Sequence, residues 1–380
     1  MKRVLHITGW YPNNLAPHEA PFIVRHIDAL EPHVRNTVWH VDVRPGTSWR
    51  CLRSGARAQR TFLVTTSLHR WMAIEWIATF LILWAWATRD RSERIDAINF
   101  HIAYPNCTRI RLLRWLIRKP MLITEHFSAY HVGFNSTAKG SRRIKRIFHA
   151  GVPVIVVSRA LQGDIEGFAG PPAPTMHVVD NAMSEVVFHP DPSVAPEPGR
   201  FFTIASWRPP KRPDLVLEAL AQLRAAGLDA RLRIAGGGPG LPAIQERITG
   251  LGLERHVDLL GQLDEQAVAN EMRRAHALVH ASDYETYSAV CAEALCCGTP
   301  VIASRVGGIP EFVSGELGAL VPTNTVEDWV HRWKEAWQPL LAADRERIAA
   351  TMMQRAGARA VGERYHRVLL ALWEAHRTNH

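Results

Sequence analysis

The sequence lacks any cysteine pair at redox or metal spacing. Its five cysteines, Cys51, Cys107, Cys291, Cys296 and Cys297, are odd in number and form no C-x-x-C. That excludes a disulfide framework or a thiolate zinc site and points to a reducing, cytoplasmic setting. Low-complexity segments are also missing, so a folded globular chain is expected. The opening "MKRVLHITGWYPNN" reaches a proline too soon for a secretory signal. There is no zinc-finger spacing, RNP-type strand or basic-region zipper, so nucleic acid is not an expected partner. The longest apolar run, "WMAIEWIATFLILWAWAT" at 71–88, falls short of the about 20 residues of a membrane span. A buried helix, a helix lying partly in a membrane surface, and a span all stay open for it. Its tryptophans and flanking arginines suit the interface.

What is present begins with charge. The net charge of +9 is uneven: residues 1–195 hold 24 Lys and Arg against 14 Asp and Glu, and residues 196–380 hold 21 against 22. The excess sits in runs such as "SRRIKR" (141–146) and "RIRLLRWLIRK" (109–119). These read either as a solvated basic face or as a surface for an anionic partner, an anionic membrane above all.

At 380 residues the chain is expected to form two domains. Strand-like runs "RVLHIT", "NTVWHVDV", "AINFHI", "MLITEH" and "PVIVVS" alternate with helix-period segments. The proline-rich "HPDPSVAPEPG" (189–199) reads as a linker, after which the alternation restarts with "FFTIAS". Two such arrays predict an α/β fold of two Rossmann-like domains facing across an inter-domain cleft, with ligands beyond the carboxyl ends of the strands. The expected division is 1–190, 199–360, and a C-terminal helix at 361–380 packing back toward the first domain.

Several strand ends carry chemistry. "RIAGGGPGLPAI" places glycines, Gly237 among them, between a strand and a helix; this suits a phosphate or a plain βα turn. "IASWRPPKRPDLV" puts Arg208, Lys211 and Arg212 before a helix, where the macrodipole disfavours cations unless an anion binds. "TEHFSAYH" brings Glu125 and His126 to a strand end. In "SDYETYSAVCAEALCCGTPVIASRVGGIPEF", Glu285 and Glu293 stand eight residues apart. On one continuous helix that is about 12 Å of rise and roughly 80° of turn, poor geometry for an acid and base at one bond. With Ser288 as N-cap and Gly298 as stop, Glu285 falls in a loop and Glu293 in the helix. The amides of Tyr287, Ser288, Ala289 and Val290 then lie between them. That arrangement suits an extended anionic ligand held by a hydroxyl acceptor at each end.

The E-x7-E run followed by "EALCCGTPVIASRVGGIPEFV" resembles the donor-binding signature of family 4 retaining glycosyltransferases, which have the GT-B fold. "WYPN", "TEHFSAY", "VIVVSRAL", "VVDNAMSEVVF", "IASWRPPKRPDLVLEAL" and "LRIAGGGPG" extend the resemblance over most of the chain. It implies that Glu285 holds sugar hydroxyls and Glu293 the nucleotide ribose. Lys211 and Arg208 would neutralise the diphosphate, with the amides from Tyr287 to Val290 beside it. His126 would lie next to the donor sugar, while Gly237, Asn181 and Glu311 match motif positions with less defined roles. No D-x-D motif occurs, so no metal or other cofactor is expected; the nucleotide diphosphate sugar is a co-substrate.

The sequence departs from the signature in three places. Ser206 replaces an arginine, "ETYS" replaces E-G-F-G with Ser288 where a glycine stands, and "NNLAPHEAPF" lacks paired glycines. The implied reaction transfers a hexose-type sugar, with retention, to a glycan or lipid-linked acceptor at the cytoplasmic face of a membrane. A sugar-nucleotide epimerase and a non-catalytic nucleotide-sugar-binding partner are the alternatives.

Overall fold

The computed structural model describes residues 1–13, 16, 19–46, 50–54, 59–67, 71–135 and 138–378. Positions 14, 15, 17 and 18 of the first loop, and the Cys51 side chain, lie outside the described residues. The chain divides into two compact units, Met1–Ala182 with Ala358–His380, and Met183–Gly357.

The first unit runs β1 (Arg3–Thr8), α1 (Pro21–Ala29), β2 (Arg35–Pro45), β3 (Arg50–Ser54), β4 (Gln59–Thr66) and α2 (Trp71–Ala87). It continues with β5 (Ala97–His101), α3 (Ile110–Ile117), β6 (Met121–Glu125), α4 (Ala138–Phe148), β7 (Val154–Val156), α5 (Arg159–Ala169) and β8 (Met176–Val178). The sheet order is β3-β4-β2-β1-β5-β6-β7-β8. Every pairing is parallel except that of β3 with β4. β5 and β6 are buried at every position, as expected of central parallel strands covered on both faces. The apolar run at 71–88 forms α2, which buries Ile74, Ala78, Ile82 and Ala85 and leaves Met72, Trp76 and Phe80 exposed. Among the described residues no helix is long and apolar enough to cross a membrane.

The second unit runs β9 (Arg200–Ser206), α6 (Pro213–Ala225), β10 (Arg231–Gly237), α7 (Leu241–Gly250), β11 (Val257–Gly261) and α8 (Glu265–Arg274). Then come β12 (Ala277–His280), α9 (Ala289–Cys296), β13 (Val301–Ser304), β14 (Gly318–Val321), α10 (Val326–Leu341) and α11 (Arg345–Ala356). The six strands are parallel in the order β11-β10-β9-β12-β13-β14. Phe201, Leu220, Val279, Ile302, Trp329 and Trp333 sit at the centre of this core. The proline-rich stretch 189–199 belongs to this unit, and the Arg273 guanidinium donates to the carbonyls of Val187 and His189.

The chain then returns to the first unit as α12 (Ala358–Thr378). Val361, Tyr365, Leu369 and Trp373 recur every four residues, one face of a helix, and pack with Val4, Leu30, Ala97 and Leu122.

Candidate functional site

Chain order reverses in the second sheet between β9 and β12: β10 and β11 are added on one side, β13 and β14 on the other. The loops leaving such neighbours splay apart and open a crevice at their carboxyl ends. There Lys211, from the loop after β9, forms an ion pair with Glu285, from the loop after β12. The two loops are also stitched by backbone: Arg212 N–H donates to Ala281 O at 3.0 Å, and Asp283 N–H to Pro210 O at 2.9 Å. His280 Nε2–H donates to the same Glu285 Oε1 at 2.7 Å. Burial alone would raise the Glu285 carboxyl, but the Lys211 ammonium and His280 outweigh it and hold the pKa at about 2. His280 is lowered as well, by burial and then by Lys211, so it meets Glu285 as a neutral donor.

Glycines fix this geometry from two sides. A Cβ on Gly307, which has φ +51°, would lie 1.7 Å from Glu285 O, and Gly308 N–H donates to that carbonyl at 3.0 Å. Gly236, Gly238 and Gly240 let the turn after β10 close on the turn after β9, where added Cβ atoms would strike Ala205 and Trp207 backbone at 2.0 to 3.0 Å. Trp207 is clamped there by three hydrogen bonds: its N–H to Gly237 O, its Nε1–H to Ala235 O, and its carbonyl from Gly240 N–H. The glycine cluster thus positions the loop that carries Arg208 and Lys211.

The start of α9 completes the site. Ser288 occupies the N-cap position in the left-handed region (φ +71°), and its side chain caps no backbone amide. Its hydroxyl donates to Cys291 Sγ at 3.2 Å and is buried. Positive φ is where glycine is most at ease, which accounts for the glycine at this place in the signature. The Tyr287 ring is buried against Phe312, leaving Ala289 and Val290 as the partly exposed residues of the first turn. Glu293 is partly buried one turn further on. Arg208 is exposed, and its guanidinium has no partner among the described residues. Arg212 is instead bound to Asp214 and Asp283, so its charge at the helix start is already met within the chain. Glu311 faces Arg355 at 3.9 Å.

In the first unit, β6 ends at Glu125. This buried carboxylate accepts from the backbone N–H of Ala103, His126 and Phe127 and from Tyr130 Oη. Glu125 is therefore a brace for the loop carrying His126. Asn181 Oδ1 faces His126 Nδ1 at 3.2 Å, which places the ring proton on Nδ1. Nε2 is left as an acceptor, buried and without a partner among the described residues. Burial, and the neighbouring His26, hold His126 well below the usual imidazole range, so it is neutral. Among the described residues no group of three or more His, Cys, Asp or Glu side chains could hold a metal ion.

Residues 188–339 match the family model for "Glycosyl transferases group 1". The D-inositol 3-phosphate glycosyltransferase of Saccharomonospora viridis is 39% identical over 132 residues, 32% of this chain and 31% of that protein. The GDP-mannose-dependent alpha-(1-6)-phosphatidylinositol dimannoside mannosyltransferase of Mycobacterium tuberculosis is 32% identical over 166 residues, 40% of this chain and 42% of that protein. Over residues 188–339 the chain is similar to the group 1 glycosyltransferases. Its matched segment spans under half the length of either relative. Likeness of fold extends further: sucrose-phosphate synthase of Thermosynechococcus elongatus superposes with a TM-score of 0.77 at 17% identity, over 99% of this chain and 100% of that one. Anabaena Alr3699/HepE, solved in complex with UDP and glucose, gives 0.73 at 16% identity, over 98% and 100%. The fold is GT-B, with two Rossmann-like sheets.

Among the residues expected from the group 1 signature, the structure brings Lys211 and Glu285 into contact, with Gly237 buttressing the Lys211 loop through Trp207. Glu311 follows the glycine pair that holds the Glu285 carbonyl. His126 and Asn181 pair with each other in the first unit. His280 is the residue that sequence reasoning missed; its signal was a histidine at the carboxyl end of "ALVH", five residues before Glu285.

Proposed function

We propose that this chain is a retaining glycosyltransferase that moves a hexose-type sugar from a nucleotide diphosphate to a hydroxyl of a glycan or lipid-linked acceptor. The observation that carries this is the Lys211–Glu285 pair at the switch point, beside the amides that open α9. A cation, a free guanidinium at Arg208 and a helix start suit a diphosphate whose negative charge grows as the sugar leaves. Glu285, ionised and oriented by His280, suits sugar hydroxyls, and Glu293 suits a ribose diol. His126, neutral and with no partner for Nε2 among the described residues, suits an acceptor for a sugar hydroxyl. In this reading the C1–O bond to the phosphate breaks, the acceptor oxygen attacks from the same face, and its proton passes to the leaving phosphate. Because the countercharge comes from the chain itself, turnover is expected to survive EDTA. Relatives named for glycosyl transfer and a neighbour solved with UDP and glucose support the same substrate class.

The test is a thermal-shift screen of UDP, GDP and dTDP sugars, followed by transfer of label from the stabilising donor. A matched nucleotide at about 100-fold over its Kd adds about 2.7 kcal/mol of stability. Label is expected to move only when an acceptor is present. Conversion of donor alone to an epimer would overturn the transferase reading, and tight binding without turnover would favour a non-catalytic partner.

Within this proposal the acceptor is presented at the inner face of the cytoplasmic membrane. Met72, Trp76 and Phe80 form an exposed stripe at i, i+4 and i+8 of α2, and the Arg109 guanidinium lies 4.4 Å over the Trp76 ring. Aromatic side chains beside arginines suit a headgroup layer. The full chain is expected to sediment with anionic vesicles at low salt and to be released by salt. Trp76→Ser with Phe80→Ser is expected to abolish sedimentation, and a variant that still sediments sinks the assignment.

A further inference from the structure

The basic run 109–119 is not used by the site above, and the structure gives it a place. A pocket of about 1370 Å³ opens in the first unit at the amino ends of its last strands, bounded by Met121 at the start of β6 and by the segments leading into β7 and β8. In parallel α/β sheets ligands enter at the carboxyl ends, so this pocket is at the other end of the sheet from His126. Arg111, Arg114, Arg118 and Lys119 line it from α3 and its end.

Among the described residues none of these cations has a carboxylate partner. Arg111 and Arg114, three apart, share one face of α3, where like charges repel, and Arg118 and Lys119 follow at its carboxyl end. Arg111 donates to His149 O at 2.7 Å, and Arg114 to the carbonyls of Ala150 and Gly151. Each guanidinium has five donors, so most remain unspent. None of the residues lining the pocket is acidic. The carboxyl ends of α3 and α12 both reach the pocket, and each supplies only about half a negative charge. Against four cations that leaves a field of roughly three positive charges. The wall also carries apolar side chains, Trp115, Phe148, Val152, Val368 and Leu372, beside Thr175, His149, His177 and His376, and Trp115 is 67% exposed.

We propose that this pocket binds a phosphate ester that carries an apolar group, the phosphate on the α3 cations and the apolar part against Trp115 and Leu372. A ligand site of ordinary size is about 300–1,000 Å³, so the space admits such a molecule whole. The same chemistry is offered by an anionic lipid headgroup with part of its chain and by a soluble phosphate ester. The site is separate from the donor site and does not depend on the transferase reading.

The test is calorimetric titration of the full chain with inorganic phosphate, with hexyl phosphate and with dihexanoyl phosphatidic acid below its aggregation concentration, with dihexanoyl phosphatidylcholine as control. Phosphatidic acid is expected to bind saturably and the zwitterionic control not to bind. Arg118→Asn with Lys119→Gln is expected to weaken binding by about tenfold per lost cation. Asparagine tolerates the left-handed conformation of residue 118 (φ +53°), so the fold survives the change. Trp115→Ala, at an exposed position, is expected to weaken phosphatidic acid and not inorganic phosphate. Phosphatidic acid binding more tightly than inorganic phosphate upholds the proposal; equal binding means the apolar wall contributes nothing and overturns it. Hexyl phosphate binding as tightly as phosphatidic acid makes the source a soluble ester, and weaker binding makes it a lipid. Absence of saturable binding by every phosphate probe, or an unchanged affinity in the double variant, overturns the proposal.

Discussion

Lys211→Met is expected to lower transfer by about 10²–10³-fold or more, because it removes the cation aimed at the leaving diphosphate. It also strands Glu285, whose side chain is only 11% exposed. Breaking a buried pair by removing one partner costs about 3–5 kcal/mol. Stability alone therefore does not prove a donor role, and a second variant separates the effects. Lys211→Met with Glu285→Gln removes both charges and keeps the shapes, so most of the lost stability is expected to return while transfer stays abolished. Recovery of transfer in the double variant would make the pair a structural strut. The pH dependence gives an independent reading. With its pKa held at about 2 against the usual 4.5, Glu285 contributes stability that is complete above 4.5 and lost as pH falls toward 2. In Lys211→Met burial acts with less opposition, and that loss is expected at higher pH.

The alternation of the two sheets was legible because parallel strands buried on both faces leave unbroken apolar runs such as "MLITE" and "VIVV". The E-x7-E spacing was legible because a loop and a helix start separate the two glutamates whatever packs around them. Contacts made by close approach were not. Nothing in "RVGGIPE" announces that Gly307 must leave room for the Glu285 carbonyl. Ser288 gives no sign of a positive φ, since serine is common at ordinary N-caps. The reading of Arg212 as an uncompensated cation overlooked Asp214 two residues on, which chelates it. The antiparallel β3 escaped notice because it pairs only at the sheet edge, with β4.

The histidines of the first unit were the least legible feature, because they meet only when separate elements close together. His6 from β1, His101 from β5, His26 from α1 and His126 after β6 form one buried group. His6 Nδ1 and His101 Nε2 are 3.0 Å apart, His26 lies 5.1 Å from His126 ring to ring, and His101 stacks on His126 at 5.9 Å. Asn36, Asn99 and Asn181 bind them by hydrogen bonds, and His26 Nε2 donates to Asp180 O. Burial lowers all four, aided by neighbouring rings at His6, His101 and His126 and by Arg364 at His26; His6 and His26 fall from the usual 6.5 to about 4. Each of those two must stay neutral when folded and is free to protonate when unfolded. Between pH 6.5 and 4 the unfolded chain therefore binds more protons, and stability rises with pH. At 1.36 kcal/mol per unit, each contributes on the order of 3 kcal/mol that is complete above 6.5 and lost as pH falls toward 4. Urea unfolding of the full chain is expected to show stability falling by about 3–5 kcal/mol per pH unit below 6.5, a difference of two to four protons. His101→Gln, which cannot protonate, is expected to flatten that slope by about one proton even if it lowers stability at pH 8. A slope below one proton in the wild type, or one untouched in His101→Gln, would mean that these imidazoles are not held neutral by the fold.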